Sequence, residues 1–171
     1  MKNQIRINHL DYSKLRPPEV TPKKEICSCK NRTALKLMGS ILFYNPIHCV
    51  DCNLEIKPES LKLNQKVIDE IANWSRLYGA IDHLWLDSGD YKKWAKKELT
   101  NIESSVNQLG LSTNKLLNKF HKSYYFYFQD DSVEKYKPLK QCPNCHKKLD
   151  EISNDKFTQR YCNKCKIIMF A

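Results

Sequence analysis

The residues in this chain best suited to chemistry are its eight cysteines, which fall into four close pairs with none left over. The pairs are Cys27 with Cys29, Cys49 with Cys52, Cys142 with Cys145, and Cys162 with Cys165. Nineteen residues separate the first pair from the second, and sixteen separate the third from the fourth. Two thiolates on one tight turn, met by two more about a hairpin later, form the donor set of a tetrahedral zinc site. The pattern predicts two structural zinc ions, one held by Cys27, Cys29, Cys49 and Cys52 and the other by Cys142, Cys145, Cys162 and Cys165. Cys27 and Cys29 form a C-x-C, tighter than the other three pairs. A redox role would call for one C-x-x-C at the start of a helix rather than two facing each other. A site closed by four thiolates leaves no position for water or substrate, so these metals are expected to stabilise the fold and not to catalyse.

Other reactive constellations are missing from the sequence. There is no H-E-x-x-H for a metalloprotease and no H-x-E for a zinc deaminase. Four glycines leave little material for a phosphate-cradling loop. Asp82, His83 and Asp87 lie along one predicted helix with no matched partner and read as a polar face. His48 and His146 each adjoin a knuckle cysteine and read as bystanders. We therefore expect no catalytic residue, no small-molecule substrate and a binding protein rather than an enzyme.

The elements that must position the cysteines follow from the patterning between them. Residues 1–25 carry Pro17, Pro18 and Pro22 among basic residues, and read as an extended leader or arm. Residues 26–58 read as an N-terminal zinc ribbon, with a hairpin of Thr33 to Leu37 and Ser40 to Tyr44 about Met38-Gly39. A helical core over residues 60–123 follows. From the cap Asn64, apolar Val67, Ile71, Trp74, Tyr78, Ile81 and Trp85 recur at steps of three and four, and the helix ends near Asp87 at Ser88-Gly89. A second helix capped by Asp90 would bury Tyr91, Trp94, Ala95 and Leu99. Helix resumes after Ser112, Thr113 or Asn114, with Leu116, Leu117 and Phe120 inward. Residues 124–139 hold an aromatic strand, Tyr124 to Phe128, and a turn. Residues 140–171 form a C-terminal zinc ribbon whose strands are Phe157 to Tyr161 and Lys166 to Phe170. The fold class is thus α+β: two four-cysteine ribbons of short β-hairpins bracketing a small helical core with one aromatic strand.

The chain of 171 residues has a formal charge of +10. Ligating two zinc dications removes eight thiol protons and adds four charges, which leaves about +6. A basic balance suits nucleic acid or an acidic protein surface. Lys92, Lys93, Lys96 and Lys97 share one helix face, and Lys115, Lys119 and Lys122 form a second row at helical spacing. Such rows can follow phosphates or serve as solvated faces. The opening stretch lacks a signal-peptide core and no run has the length of a membrane span, so a cytoplasmic, reducing setting without membrane contact is expected.

In the order of its motifs the chain resembles a bacterial zinc-ribbon-containing family of unknown function for which nucleic-acid binding has been suggested. The resemblance is carried by the cysteine pairs, by Trp74-x-x-x-Tyr78-x-x-x-Asp82-x-Leu84-Trp85, and by Ser88-Gly89-Asp90-Tyr91-x-x-Trp94-Ala95. Ser104-Ser105-x-Asn107-x-Leu109-Gly110 and the run Tyr124 to Phe128 complete it. The segment following Cys165 departs from the family pattern. The resemblance implies zinc ribbons and a nucleic-acid ligand. The alternative expectation is a protein-binding role, an immunity or antitoxin protein that neutralises a toxin partner through an acidic surface of that partner.

Overall fold

The computed structural model describes Leu15 and residues 21–39, 45–154 and 156–171. Most of the expected leader and the expected strand Ser40 to Tyr44 lie outside the described residues. The remaining elements are β1 (Leu35–Leu37), β2 (Ile47–Cys49), α1 (Gln65–Asp87), α2 (Lys92–Thr100), α3 (Ser105–Leu117), β3 (Ser123–Phe126), β4 (Asp150–Ser153), β5 (Thr158–Cys162) and β6 (Ile167–Phe170). Short 3-10 turns at Lys23–Glu25 and Pro58–Leu61 complete the set.

The aromatic strand joins the two ribbons into one sheet. Strand order is β2-β1-β3-β6-β5-β4. β1 and β2 are antiparallel, as are β4, β5 and β6 among themselves, while β3 runs parallel to both β1 and β6. Strand alternation sends successive side chains of β3 to opposite faces. Tyr125 turns to the helices, where its ring meets Trp74 edge-on at 5.7 Å and its hydroxyl donates to Asn107 Oδ1 at 2.6 Å. Just past the strand, the Tyr127 hydroxyl donates to the Thr100 carbonyl. Tyr124 and Phe126 turn to the opposite face, against Tyr161 at 5.7 Å and Phe170 at 5.0 Å. The alternation expected of Phe128 stops with the strand, for its ring packs on Trp85 of α1 at 4.8 Å.

The helices cover the first of these faces. α1 begins where the Asn64 side chain accepts from the Val67 backbone N–H at 3.0 Å. Val67, Ile71, Trp74 and Tyr78 are buried along it as their spacing demands. Gly89, at φ +62°, turns the chain away at the far end. α2 differs from the sequence expectation. It starts at Lys92, Ala95 and Leu99 are buried, but Tyr91 is 62% exposed and Trp94 48% exposed. Only one stripe of so short a helix meets α1, and Ala95 and Leu99, four apart, fill it.

α3 begins eight residues before the earliest expected start, with Ser104 in place of Ser112 as its cap. Its buried stripe is Val106, Asn107, Gly110, Thr113, Asn114 and Leu117, half of it polar, so an apolar pattern could not disclose it. Phe120 lies beyond the helix end and is exposed. Gly110 is required by packing: a Cβ there would sit 2.3 Å from Tyr125 Cε2 and 2.7 Å from Trp74 Nε1. Among the described residues no helix is long and apolar enough to cross a membrane.

Candidate metal centres

Each cysteine quartet comes together. The Sγ atoms of Cys27, Cys29, Cys49 and Cys52 lie within 4.8 Å of one another, and so do those of Cys142, Cys145, Cys162 and Cys165. All eight cysteines are free of disulfides. Tetrahedral zinc with Zn–S bonds of about 2.3 Å needs sulfurs about 3.8 Å apart. The Cys145 and Cys162 sulfurs are 3.7 Å apart. Four thiols are a donor set that zinc prefers, and the two clusters fit two structural zinc ions.

The local backbone explains how the two quartets form. Cys49 is the last residue of β2 and Cys162 the last of β5, so each ribbon delivers a cysteine at a strand end and its partner three residues on. The residue after each C-x-x-C is left-handed: Asn53 at φ 62°, His146 at 58° and Lys166 at 55°. That conformation curls the turn back over its own sulfurs. The Asn53 N–H donates to the Cys49 carbonyl at 3.0 Å, the His146 N–H to the Cys142 carbonyl at 2.9 Å, and the Cys165 N–H to Cys162 Sγ at 3.4 Å. The C-x-C lacks such a turn and is aligned another way. The Cys27 N–H donates to the Glu55 carbonyl at 2.7 Å, and the Glu55 N–H to the Glu25 carbonyl at 3.0 Å. Pairing with the chain beyond Cys52 holds Cys27 in register, and Cys29 follows it by two residues.

Without metal the thiols do not ionise alike. Burial pushes the Cys49, Cys142, Cys52 and Cys165 thiols up, Cys52 to about 11 and Cys165 to about 12. Cys145 is drawn down to about 7, first by the backbone N–H of Lys147. A divalent cation must therefore displace protons to bind, as thiolate ligation always requires.

The other candidates divide clearly. His48 is buried, with its ring nitrogens 3.1 Å from the carbonyls of Asn53 and Asn45, and burial lowers its pKa to about 4. It braces the first knuckle rather than adding a ligand. His146 is exposed. Asp82 is buried on α1, while His83 and Asp87 form an exposed contact at 3.8 Å. The aromatic run is core: Tyr124, Tyr125 and Tyr127 are all buried and offer no open ring face.

The lysines lie in three places. Lys92, Lys93 and Lys97 are exposed on α2, and Lys96 is held by Asp130 at 2.5 Å. Lys115 alone of the second row is helical, because α3 ends at Leu117 and leaves Lys119 and Lys122 in the connection to β3. Lys115 instead joins Lys164 and Lys166 of the second knuckle along a groove of about 480 Å³ that also carries Asn114, Asn118 and Asn144. Lys122 joins Lys30 and Arg32 of the first knuckle along another of about 450 Å³. Lys30, Arg32, Lys164 and Lys166 escaped the sequence reading. Their signal was present in basic residues directly after or between knuckle cysteines, Cys29-Lys30-Asn31-Arg32 and Lys164-Cys165-Lys166. Set against known protein families, curated proteins and solved structures, the chain matches none.

Proposed function

We propose that this chain is a non-enzymatic zinc protein of the reducing cytoplasm whose two metals position basic side chains for nucleic acid. The observation that carries the reading is the pair of grooves beside the knuckles. In one, Lys164 and Lys166 stand across from Lys115; in the other, Lys30 and Arg32 stand with Lys122. Phosphate contacts from such cations supply most sequence-independent affinity. The net basic charge supports it. Closed four-thiolate centres give the metals an architectural part, since they keep no open coordination position.

The test is binding of fluorescent DNA and RNA oligonucleotides to the zinc-loaded protein across 50 to 300 mM salt. Affinity is expected to fall linearly on a log–log plot. Lys115→Glu with Lys164→Glu should weaken binding to every sequence and flatten the slope by about 0.7 to 0.9 for each phosphate no longer neutralised. Absence of binding, or affinity indifferent to salt, refutes the reading. Capture of one tight protein partner with no nucleic acid would favour the immunity or antitoxin alternative.

A further inference from the structure

We propose that Tyr91 and Trp94 form a stacking platform for unpaired bases, which makes the ligand single-stranded nucleic acid; this rests on the nucleic-acid reading above and narrows it. The two residues are three apart at the start of α2, so their side chains are neighbours on one surface. They are 62% and 48% exposed, in a chain that buries Trp74, Tyr78, Tyr124, Tyr125 and Tyr127. The buried stripe of the helix is Ala95 and Leu99, and the aromatic pair lies outside it with much of both rings open to solvent.

The surroundings select the occupant. Exposed Lys92 and Lys93 lie between the two rings in sequence, and exposed Lys97 follows Trp94 by one turn. Lys96 is turned aside to Asp130, and exposed Asp90 is the acidic residue next to Tyr91. By helical spacing Lys97 and Glu98 adjoin Trp94 on the ring surface while Lys92 and Lys93 stand on its flanks, so an apolar protein surface laid here would strip water from charged groups without compensation. A single strand matches both features, since its bases present flat faces to the rings and its phosphates meet the ammonium groups. A duplex hides those faces within its own stack and leaves only base edges open.

The experiment compares zinc-loaded wild type, Trp94→Ala, Trp94→Phe and the Tyr91→Ala/Trp94→Ala double variant on a thymidine 20-mer and on a hairpin duplex. One stacked base is worth about 1 to 3 kcal/mol, so Trp94→Ala should weaken single-strand binding by roughly 5- to 150-fold. Trp94→Phe should retain most of the affinity, duplex binding should not change, and the melting temperature should hold because the side chain is half exposed. Wild type should also show tryptophan quenching on the thymidine strand that Trp94→Phe loses. If wild type binds and Trp94→Ala binds the single strand equally well, or loses both ligands to the same degree, the platform is refuted and the nucleic-acid reading survives. If wild type binds neither ligand, the underlying reading fails and the platform with it.

Discussion

Asn107 is the polar pivot that sets the basic helix α2 against the sheet, and removing it gives a quantitative test of the fold. Its side chain is completely buried. Nδ2 lies 2.9 Å from the Glu98 carbonyl, 3.1 Å from that of Leu99, 2.7 Å from that of Asn101 and 3.0 Å from Ser104 Oγ. Oδ1 accepts from the Tyr125 hydroxyl at 2.6 Å. Two amide hydrogens are thus shared among four acceptors at the end of α2, where carbonyls have no helical partner of their own. Asn107→Leu keeps the branching at Cγ and deletes the bonds, with a modest gain in volume. The Glu98 carbonyl still accepts from Ser104 Oγ and the Asn101 carbonyl from the Ser104 N–H, so the Leu99 carbonyl and the Tyr125 phenol are left unpaired. At about 1 to 3 kcal/mol each, with some relaxation, the loss should be about 2 to 4 kcal/mol. Tyr125→Phe breaks one bond and should cost about 1 to 2 kcal/mol. In the double variant the phenol is no longer orphaned, so the combined loss should fall short of the sum by about 1 kcal/mol. Urea denaturation of the four zinc-loaded proteins measures this cycle. A loss below about 1 kcal/mol for Asn107→Leu, or strict additivity, would refute the pivot.

Two further outcomes are expected. Zinc affinity, measured by competition with a chelator, should rise with pH between about 5.5 and 8. The Cys49, Cys52, Cys142 and Cys165 thiols are raised and hold protons that the metal must expel, so acid favours the metal-free form. Several protons should be released per ion, and an affinity flat with pH would contradict thiolate ligation. Gly110→Ala should destabilise the protein by about 1 to 3 kcal/mol despite the better helix propensity of alanine, because the new methyl meets the buried rings of Tyr125 and Trp74; unchanged urea stability would show that those rings can yield.

What the sequence disclosed and what it withheld divide along physical lines. The metal centres were legible because spacing alone brings thiols together, and α1 was legible because its buried stripe is apolar. α3 was read short because its inward face is built from Asn107, Thr113 and Asn114, whose burial is made tolerable by hydrogen bonds that no periodicity reveals. Tyr91 and Trp94 were assigned to the core because large aromatics usually are; whether a partner surface exists for them is a tertiary fact. The central place of β3 was likewise hidden, since parallel pairing to two distant strands leaves no local mark. The grooves needed the fold too, for Lys115 and Lys164 are neighbours across the second knuckle and far apart along the chain.

The parallel pairing of β3 also bears on the order of assembly. β1 meets β3 at Leu35 with Ser123, a closure spanning about half the chain, whereas β5 and β6 are joined by a turn of a few residues. Local pairs can form early, and long loops must be closed against a larger entropic cost. A metal ion gripping each knuckle would bring two preformed hairpins to a late step in which the aromatic strand slots between them. Refolding of the metal-free chain should then be slower than that of the zinc-loaded chain.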